Sequence, residues 1–269
     1  MKLRYSLAWI FPFLFLSACD MEKEIDLVLP YHEPQLVVEC YLMPGKPFTA
    51  TVLESSNYFE PPAPPLVPDA EVYIITPSGT RVKLQYKPSF AEGEQFYTHI
   101  STSKMKGKAG DVYSLEVVDG KGRKVTAQTI IQPVVPITEV TWKFNDKEKA
   151  YLLTTYQDNP AVRNFYRYMT HRESKNKGSS NRDFAASDDL TNGERTSYGS
   201  AYDYEVGDTM VVSLFHIEKQ YYDFLNSTED AKSANRNPFS QPSKVKSSVQ
   251  GGIGIFTNLI YDRKKVVIK

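Results

Sequence analysis

The chain has 269 residues with 32 basic and 32 acidic side chains, so its formal net charge is zero. Neither a basic excess nor a long basic run is available to neutralise phosphates, which excludes the usual electrostatic basis for binding nucleic acid. The length is enough for one large β domain or for two domains of ordinary size.

Residues 1–18 have the parts of a lipoprotein signal peptide. Lys2 and Arg4 form a short positive stretch, and an apolar run follows over residues 7–16. This run is shorter than the roughly 20 apolar residues that a membrane-spanning helix needs. Leu16-Ser17-Ala18-Cys19 then matches the lipobox pattern, so we expect cleavage before Cys19 and acyl chains on it that hold the protein to a lipid bilayer. The alternative is an ordinary signal peptide followed by a chance cysteine.

Residues 19–33 are predicted to be a lipidated acidic tether. Asp20, Glu22, Glu24 and Asp26 follow the cysteine closely. This pattern resembles the surface-export signals of lipoproteins in the Bacteroidota, although a solvated spacer is an equal alternative. We therefore expect a lipid anchor in the outer membrane, with display on the cell exterior as a hypothesis.

Residues 34–133 are predicted to form an immunoglobulin-like β-sandwich. Short runs rich in Val, Ile, Tyr and Thr alternate with turns that contain Gly, Pro and Asn. The clearest hairpin runs from Asp111 to Ile131 and turns at 119–122. The predicted strands are 35–43, 47–54, 71–76, 81–86, 95–101, 111–118 and 123–131.

Two features of this predicted sandwich need separate interpretation. Cys40 lies on the apolar face of the first strand, which favours a buried structural thiol over a nucleophile. The proline-rich stretch 59–68 predicts a stiff surface loop. Tyr58 and Phe59 beside it are candidate contacts for a partner or ligand, and a plain connector is the alternative.

Residues 134–269 are predicted to form a second β-rich domain, after a proline-rich hinge at 133–136. A polar stretch over 173–208 predicts an extended or partly disordered loop. Apolar residues at helical spacing predict one packed α-helix over 218–233. The predicted strands are 138–145, 149–157, 164–171 and 209–217, with closing strands near 251–256 and 265–268. The fold class is therefore mainly β.

The sequence nominates no catalytic residue, no metal site and no cofactor. The four histidines are far apart, and no nucleophile motif occurs. Asp183, Asp188, Asp189, Asn192 and Glu194 have the oxygen chemistry of a calcium site but lack the spacing of a known loop. Gly251-Gly252-x-Gly254 precedes a strand-like run, so it indicates close backbone approach in a sheet and not a phosphate loop.

Tyrosine is the residue type most suited to contacting a partner, since it has an apolar body and a polar tip. The chain contains 18 tyrosines, most of which we expect in the core or on strand surfaces. Tyr198, Tyr202 and Tyr204 fall in the predicted loop and are the group expected to be most exposed. They are therefore candidate contacts for a partner or ligand.

Several motifs in order resemble a family of Bacteroidota outer-membrane lipoproteins known as domain of unknown function four-two-four-nine. The matching segments are Ile25-Asp26-Leu27-x-Leu29-Pro30, Pro34-x-Leu36-Val37-Val38-Glu39, Gly110-Asp111-x-Tyr113-x-Leu115, Gly207-Asp208-Thr209, Tyr221-Tyr222-Asp223-Phe224-Leu225, Asn237-Pro238-Phe239-Ser240-x-Pro242 and Gly251-Gly252-x-Gly254-x-Phe256. The resemblance brings no catalytic residues. It implies a companion of TonB-dependent outer-membrane receptors.

The leading hypothesis is a non-enzymatic lipoprotein that assists a TonB-dependent receptor in ligand capture or nutrient uptake. One alternative is a surface hydrolase of glycan or peptide, in which Asp188, Asp189 and Glu194 would line a cleft. Another alternative is a structural, adhesin-like module without a pocket.

The lipid anchor generates a direct prediction. We expect Cys19→Ala to abolish lipidation, because Cys19 is the cysteine of the lipobox, and to leave the chain uncleaved or soluble. Fractionation of membranes and mass measurement of the N-terminus test this expectation. Unchanged processing and unchanged membrane association of the variant would refute the anchor.

Overall fold

Fifteen strands and one helix account for most of the chain that the computed structural model describes, which is residues 33–56, 65–90, 95–173, 182–236, 241 and 243–269. The predicted mainly β class is therefore confirmed. Cys19, Tyr58 and Phe59 lie outside the described residues, so their predicted roles stay predictions.

No helix in the described part of the chain has the length and apolar character that crossing a membrane requires.

The predicted strands of both halves are confirmed within a few residues, except that the last strand begins five residues earlier. The helix begins one residue later than predicted and ends three residues later. In chain order the elements are β1 (Leu36–Leu42), β2 (Pro47–Glu54), β3 (Glu71–Ile75), β4 (Arg81–Phe90), β5 (Phe96–Lys104), β6 (Val112–Val118), β7 (Lys124–Ile130), β8 (Ile137–Phe144), β9 (Ala150–Gln157), β10 (Phe165–Arg172), β11 (Arg182–Ser187), β12 (Arg195–Gly199), β13 (Thr209–Ile217), α1 (Lys219–Arg236), β14 (Ile253–Asn258) and β15 (Ile260–Val267).

The first sheet has eight strands in the order β14-β1-β2-β5-β4-β3-β6-β7. Its two edge strands approach each other where Thr126 of β7 bridges Gln250, just before β14. The sheet thus curls around one core, in which alternate residues of β1, β2, β3, β6 and β7 are buried. Cys40 is 0% exposed within this core, and burial raises the pKa of its thiol. The prediction of a buried structural thiol is confirmed.

Strand β14 reaches this sheet from the far end of the sequence and pairs with β1 in parallel. Three glycines make the close approach possible. A Cβ at Gly251 would lie 2.1 Å from the Lys124 carbonyl oxygen, and one at Gly254 would lie 1.9 Å from that of Val38. The prediction that Gly251-Gly252-x-Gly254 allows close approach of two backbones in a sheet is confirmed.

Two smaller sheets face each other and form the second sandwich, with strand orders β11-β10-β13-β15 and β12-β9-β8. Their shared core contains Tyr156, Tyr166, Tyr168 and Tyr204 among aliphatic residues. Strands β11 and β12 correct the prediction of an extended or partly disordered loop for the described part of residues 173–208. Both are polar strands at sheet edges, where side chains face water and hydrophobic alternation is weak.

Helix α1 packs on the outer face of this second sandwich and also on β14. Tyr221 and Phe224 of the helix join Phe215 and Ile217 of β13 and Ile255 of β14 in a separate cluster. Because β13 packs against the sandwich core on one face and against this cluster on the other, nearly all of its residues are buried.

The predicted domain boundary near residue 133 does not hold for β14. This strand belongs to the first sheet, although the boundary assigns it to the second domain. Only Leu259 separates it from β15 of the second sandwich, so one stretch of extended chain runs through both halves. Residues 34–269 accordingly form one compact unit.

The half-buried carboxylate of Glu218 joins the two halves between the end of β13 and the start of α1. Its Oε1 accepts the backbone N–H of Ile130 at 2.9 Å, and its Oε2 accepts the Thr129 hydroxyl, both at the end of β7. Thr257 of β14 donates to the same Oε2 at 3.3 Å. The Asn258 amide completes the network with a 2.8 Å bond to the Ile130 carbonyl oxygen. We call this region the junction.

The strand registers place the junction between two opposite ends of the unit. In the first sheet, the end away from the junction holds Pro34, Glu54, Phe90 and the turn 119–122, and we call it the Pro34 end. In the second sandwich, the end away from the junction holds the β8–β9 turn and the loop 200–208, and we call it the Val206 end.

Removing the junction carboxylate should destabilise the protein. We expect Glu218→Ala to lower the free energy of unfolding by about 1–3 kcal/mol, since the buried Thr129 hydroxyl and the Ile130 N–H lose their acceptor. Chemical denaturation measures this loss. The control Glu139→Ala removes an exposed ion pair with Arg195 and should cost less than about 1 kcal/mol. Equal losses in the two variants would contradict the role of the junction.

The same carboxylate predicts a pH dependence. Burial raises the pKa of Glu218 above its ordinary value of about 4.5, and hydrogen bonds such as that from Thr129 oppose the rise. The carboxyl group of Glu218 therefore stays protonated in the folded protein at pH values where it is ionised in the unfolded chain. Its contribution to the free energy of unfolding falls as pH rises from about 4.5 through the raised pKa. In Glu218→Gln this titration is absent. The stability of the wild type relative to the variant should decline over that range, and a pH-independent difference would count against the raised pKa.

Candidate functional site

A shallow cleft lies at the Val206 end, between the β8–β9 turn and the loop 200–208. Its volume is about 650 Å³. The lining residues are Phe144, Lys147, Glu148, Lys149, Glu205 and Val206. A second depression of about 450 Å³ lies beside the junction, where Pro44 and Ile131 are among the lining residues.

The β8–β9 turn forms a fixed wall of the cleft. The Asn145 side-chain oxygen accepts the backbone N–H groups of Lys147 and Lys149, each at 3.0 Å. This turn requires Glu148 to adopt φ of 54°, in the left-handed region. Among the described residues Glu148 alone does so without being glycine, at a cost of roughly 1–2 kcal/mol. Strain of this kind concentrates at functional sites, which singles out this wall.

The opposite wall is anchored by Tyr204, which is 0% exposed. Its backbone pairs with Ala150 in both directions, and its hydroxyl lies 3.0 Å from that of Thr170. Arg172 covers the Tyr204 ring at 5.7 Å and pairs with Asp208 at 3.0 Å. The loop 200–208 is therefore held to the core although it carries no regular secondary structure.

A tight turn at residues 205–208 carries the more exposed of the two apolar side chains that line the cleft. The Asp208 N–H donates to the Glu205 carbonyl oxygen at 3.1 Å, and Gly207 has φ of 89°. A glycine at this position of the turn supplies the left-handed backbone that other residues adopt at a cost. Val206 stands at the tip and is 69% exposed.

The chemistry of the cleft is mixed. Lys149 forms an ion pair with Glu205 across it, and Phe144 is 40% exposed beside Val206. On the neighbouring outer face, Tyr202 packs edge to face on Tyr151 with 4.8 Å between ring centroids. Exposed apolar and aromatic side chains with charged neighbours are typical of protein interaction surfaces.

The three tyrosines that were predicted to contact a partner, Tyr198, Tyr202 and Tyr204, differ in their exposure. Tyr202 is 46% exposed at the Val206 end, as a contact residue must be. Tyr198 is half-buried, accepts the Tyr156 hydroxyl at 2.8 Å and packs on Phe184, so it closes the edges of the second sandwich. Tyr204 was expected to be exposed, and that expectation is wrong because its ring fills the core.

Sequence reasoning missed Phe144, Glu148 and Val206 as residues of a site. An apolar residue directly before Gly207-Asp208 in a polar stretch was the available signal for Val206. Nothing local in the sequence indicates that the β8–β9 turn and the loop 200–208 meet.

The carboxylates of the hydrolase alternative have structural partners. Asp188 is 2% exposed and accepts the Asn164 backbone N–H at 2.7 Å, while Asp189 pairs with exposed Arg163. Neither these two nor Glu194 lines either depression. The paired carboxylates across a pocket that a glycosidase needs are thus not found at these positions.

The histidines also serve the fold. His99 and His216 are buried, and burial lowers the pKa of each ring. His216 Nδ1 lies 2.8 Å from the Pro133 carbonyl oxygen at the junction. In the part of the chain that the structure describes, no three His, Cys, Asp or Glu side chains gather in a way that could hold a metal ion.

Known proteins identify the family to which this chain belongs, but that family has no assigned activity. The model of a family described as "Domain of unknown function (DUF4249)" matches residues 22–264, so the chain belongs to this family. No curated protein matches the chain.

Solved structures resemble the chain only distantly. A DUF4785 family protein from Legionella pneumophila is 13% identical with a TM-score of 0.25; the match covers 66% of this chain and 52% of that one. A two-domain fibronectin type-III segment from chicken tenascin is 12% identical with a TM-score of 0.21, over 68% and 91% of the two chains. The chain thus spans about half the length of the Legionella protein it matches.

The anchoring of the loop 200–208 can be tested directly. We expect Arg172→Ala to speed amide hydrogen exchange at Gly207 and Glu205, since the ion pair with Asp208 and the cover over Tyr204 are lost. The control Arg195→Ala removes an exposed ion pair with Glu139 and should leave this exchange unchanged. Exchange that is equally slow in both variants would show that Arg172 does not hold the loop.

Proposed function

We propose that this member of the DUF4249 family is a lipid-anchored accessory protein of the outer membrane. It binds a TonB-dependent receptor and assists ligand capture or nutrient uptake without catalysing a reaction. Its partner surface is the cleft at the Val206 end together with Tyr202.

One observation supports this proposal most directly. The cleft lies at one end of the unit, and Pro34, where the chain from Cys19 enters the first sheet, lies at the opposite end. The chain enters the first sheet at Pro34, and β14 and β15 lead from that end to the Val206 end. A protein tethered through residues before Pro34 presents its far end to neighbouring proteins. The exposed apolar residues Phe144 and Val206 stand at that far end.

The character of the cleft favours a protein over a small molecule. Sites for small ligands enclose most of the ligand surface, whereas this cleft is shallow and has apolar rims. A stable protein interface buries about 800 Å² on each partner, more than a small cleft offers. Tyr151 and Tyr202 are packed together beside the cleft, and they add area to the surface that a protein partner would bury.

The lipobox and the family resemblance support the location and the partner class. Lipid on Cys19 confines the protein to the membrane in which outer-membrane receptors reside. Because both proteins are then confined to the same membrane, the effective concentration of each for the other rises. A small interface is therefore sufficient for binding.

Co-purification from detergent extracts of native membranes tests the proposal. We expect a TonB-dependent receptor to accompany the wild-type protein, and Val206→Asp to reduce its recovery, because a charge replaces an apolar contact. Val162→Asp is the matched control, since Val162 is 57% exposed but lies in the β9–β10 loop near the junction. It should leave recovery unchanged.

Each outcome has a separate meaning. A wild-type protein recovered without any such receptor would overturn the proposed function. A receptor that is recovered equally well with both variants would keep the partner but overturn the assignment of the partner surface to the Val206 end.

A further inference from the structure

The Pro34 end carries a second exposed apolar surface, on the side of the molecule opposite the cleft. Phe90 at the end of β4 is 67% exposed, and its ring packs against Phe96 of β5 with 5.5 Å between centroids. Leu66 is 47% exposed and pairs with Leu53 near the end of β2. We call Leu66, Phe90 and Phe96 the end patch.

Phe90 and Phe96 stand on paired strands, and Leu66 is held by an isolated bridge to Leu53. Phe90 is paired with Phe96 in the β4–β5 ladder, and the Thr51 hydroxyl donates to the Phe96 carbonyl oxygen at 2.8 Å. The Glu54 N–H donates to the Pro65 carbonyl oxygen at 2.9 Å, next to Leu66. The end patch is therefore a fixed feature of the sheet.

The segment that leads to Cys19 leaves the sheet at this same end. Arg123 Nη1 donates to the Pro34 carbonyl oxygen at 2.8 Å, and the Gln35 N–H donates to the Ser55 hydroxyl at 2.9 Å. Arg123 is itself fixed by Asp119 and Glu54. The point at which the tether begins is thus fixed beside the end patch.

The length of the tether limits how far this end can lie from the membrane. About 15 residues separate Cys19 from Pro34, and they span at most roughly 50 Å when fully extended. A more compact tether brings the Pro34 end, at which it begins, closer to the lipid.

From this placement we infer that the end patch docks on the lipid bilayer that holds Cys19, with Phe90 and Leu66 inserted at the membrane interface. The inference rests on the proposed function, because it requires the lipid anchor. Aromatic and aliphatic side chains partition into the boundary between headgroups and acyl chains, to a depth of about 5–10 Å.

The charges at this end indicate apolar insertion and not electrostatic attraction. Exposed Lys87 and Lys121 are offset by Glu54 and Asp69, and Lys121 is already paired with Glu54 at 2.9 Å. The docking should therefore be insensitive to salt and to the content of anionic lipid.

Tryptophan fluorescence of the full lipidated chain in vesicles tests this docking. After signal cleavage Trp142 of β8 is the remaining native tryptophan, so Trp142→Phe supplies a dark background. In that background Phe90→Trp places a reporter in the end patch, and Val206→Trp places one at the opposite end. The two sites are matched in exposure at 67% and 69%, so neither change disturbs the core. The vesicles contain phosphatidylethanolamine and phosphatidylcholine brominated in the acyl chains.

We expect the reporter at position 90 to shift to shorter wavelength and to lose emission to the bromines, while the reporter at position 206 keeps its emission. Vesicle flotation separates the two proposals. A chain that does not float overturns the lipid anchor and the docking with it. A chain that floats while the reporter at position 90 is unquenched, or while both reporters are quenched equally, overturns the docking and leaves the anchor standing.

Discussion

The arrangement of this protein depends on one half-buried carboxylate. Glu218 ends β13 and begins α1 in the second sandwich, yet its oxygens accept hydrogen bonds from Thr129, Ile130 and Thr257 of the first sheet. A buried carboxylate is tolerated only where donors surround it, and those donors come from strands far apart in sequence. The two halves are therefore fixed to each other at the junction, where β14 passes into β15, and also through the cluster in which Ile255 of β14 packs with α1 and β13.

Because the halves are joined at the junction, their free ends acquire different roles. The Pro34 end receives the segment from Cys19 and bears the end patch, while the Val206 end bears the cleft and a strained Glu148. The proposed docking on lipid and the proposed binding of a receptor use opposite ends, so they do not compete. A fixed junction would also hold the cleft at a constant distance from the Pro34 end.

The sequence predicted those parts of the fold that depend on local patterns. Alternation placed most strands, as in β6 and β7, and the glycines before β14 indicated close backbone approach correctly. Strands β11 and β12 were missed because Arg182-Asp183 and Arg195-Thr196 give polar edges without alternation. The parallel pairing of β14 with β1 was not predictable, since periodicity does not reveal which strand is the partner. The candidate cleft was missed for the same reason, and Tyr204 was expected at the surface because its neighbours in sequence are polar.

The central claim is that an anchored protein meets its receptor through the Val206 end. Site-specific photo-crosslinking in native membranes tests it most directly, with a photoreactive amino acid in place of Val206 or, as a control, of Val162 near the junction. We expect a crosslink to a TonB-dependent receptor from position 206 and none from position 162. No receptor crosslink from position 206, or equal crosslinks from both positions, would contradict it.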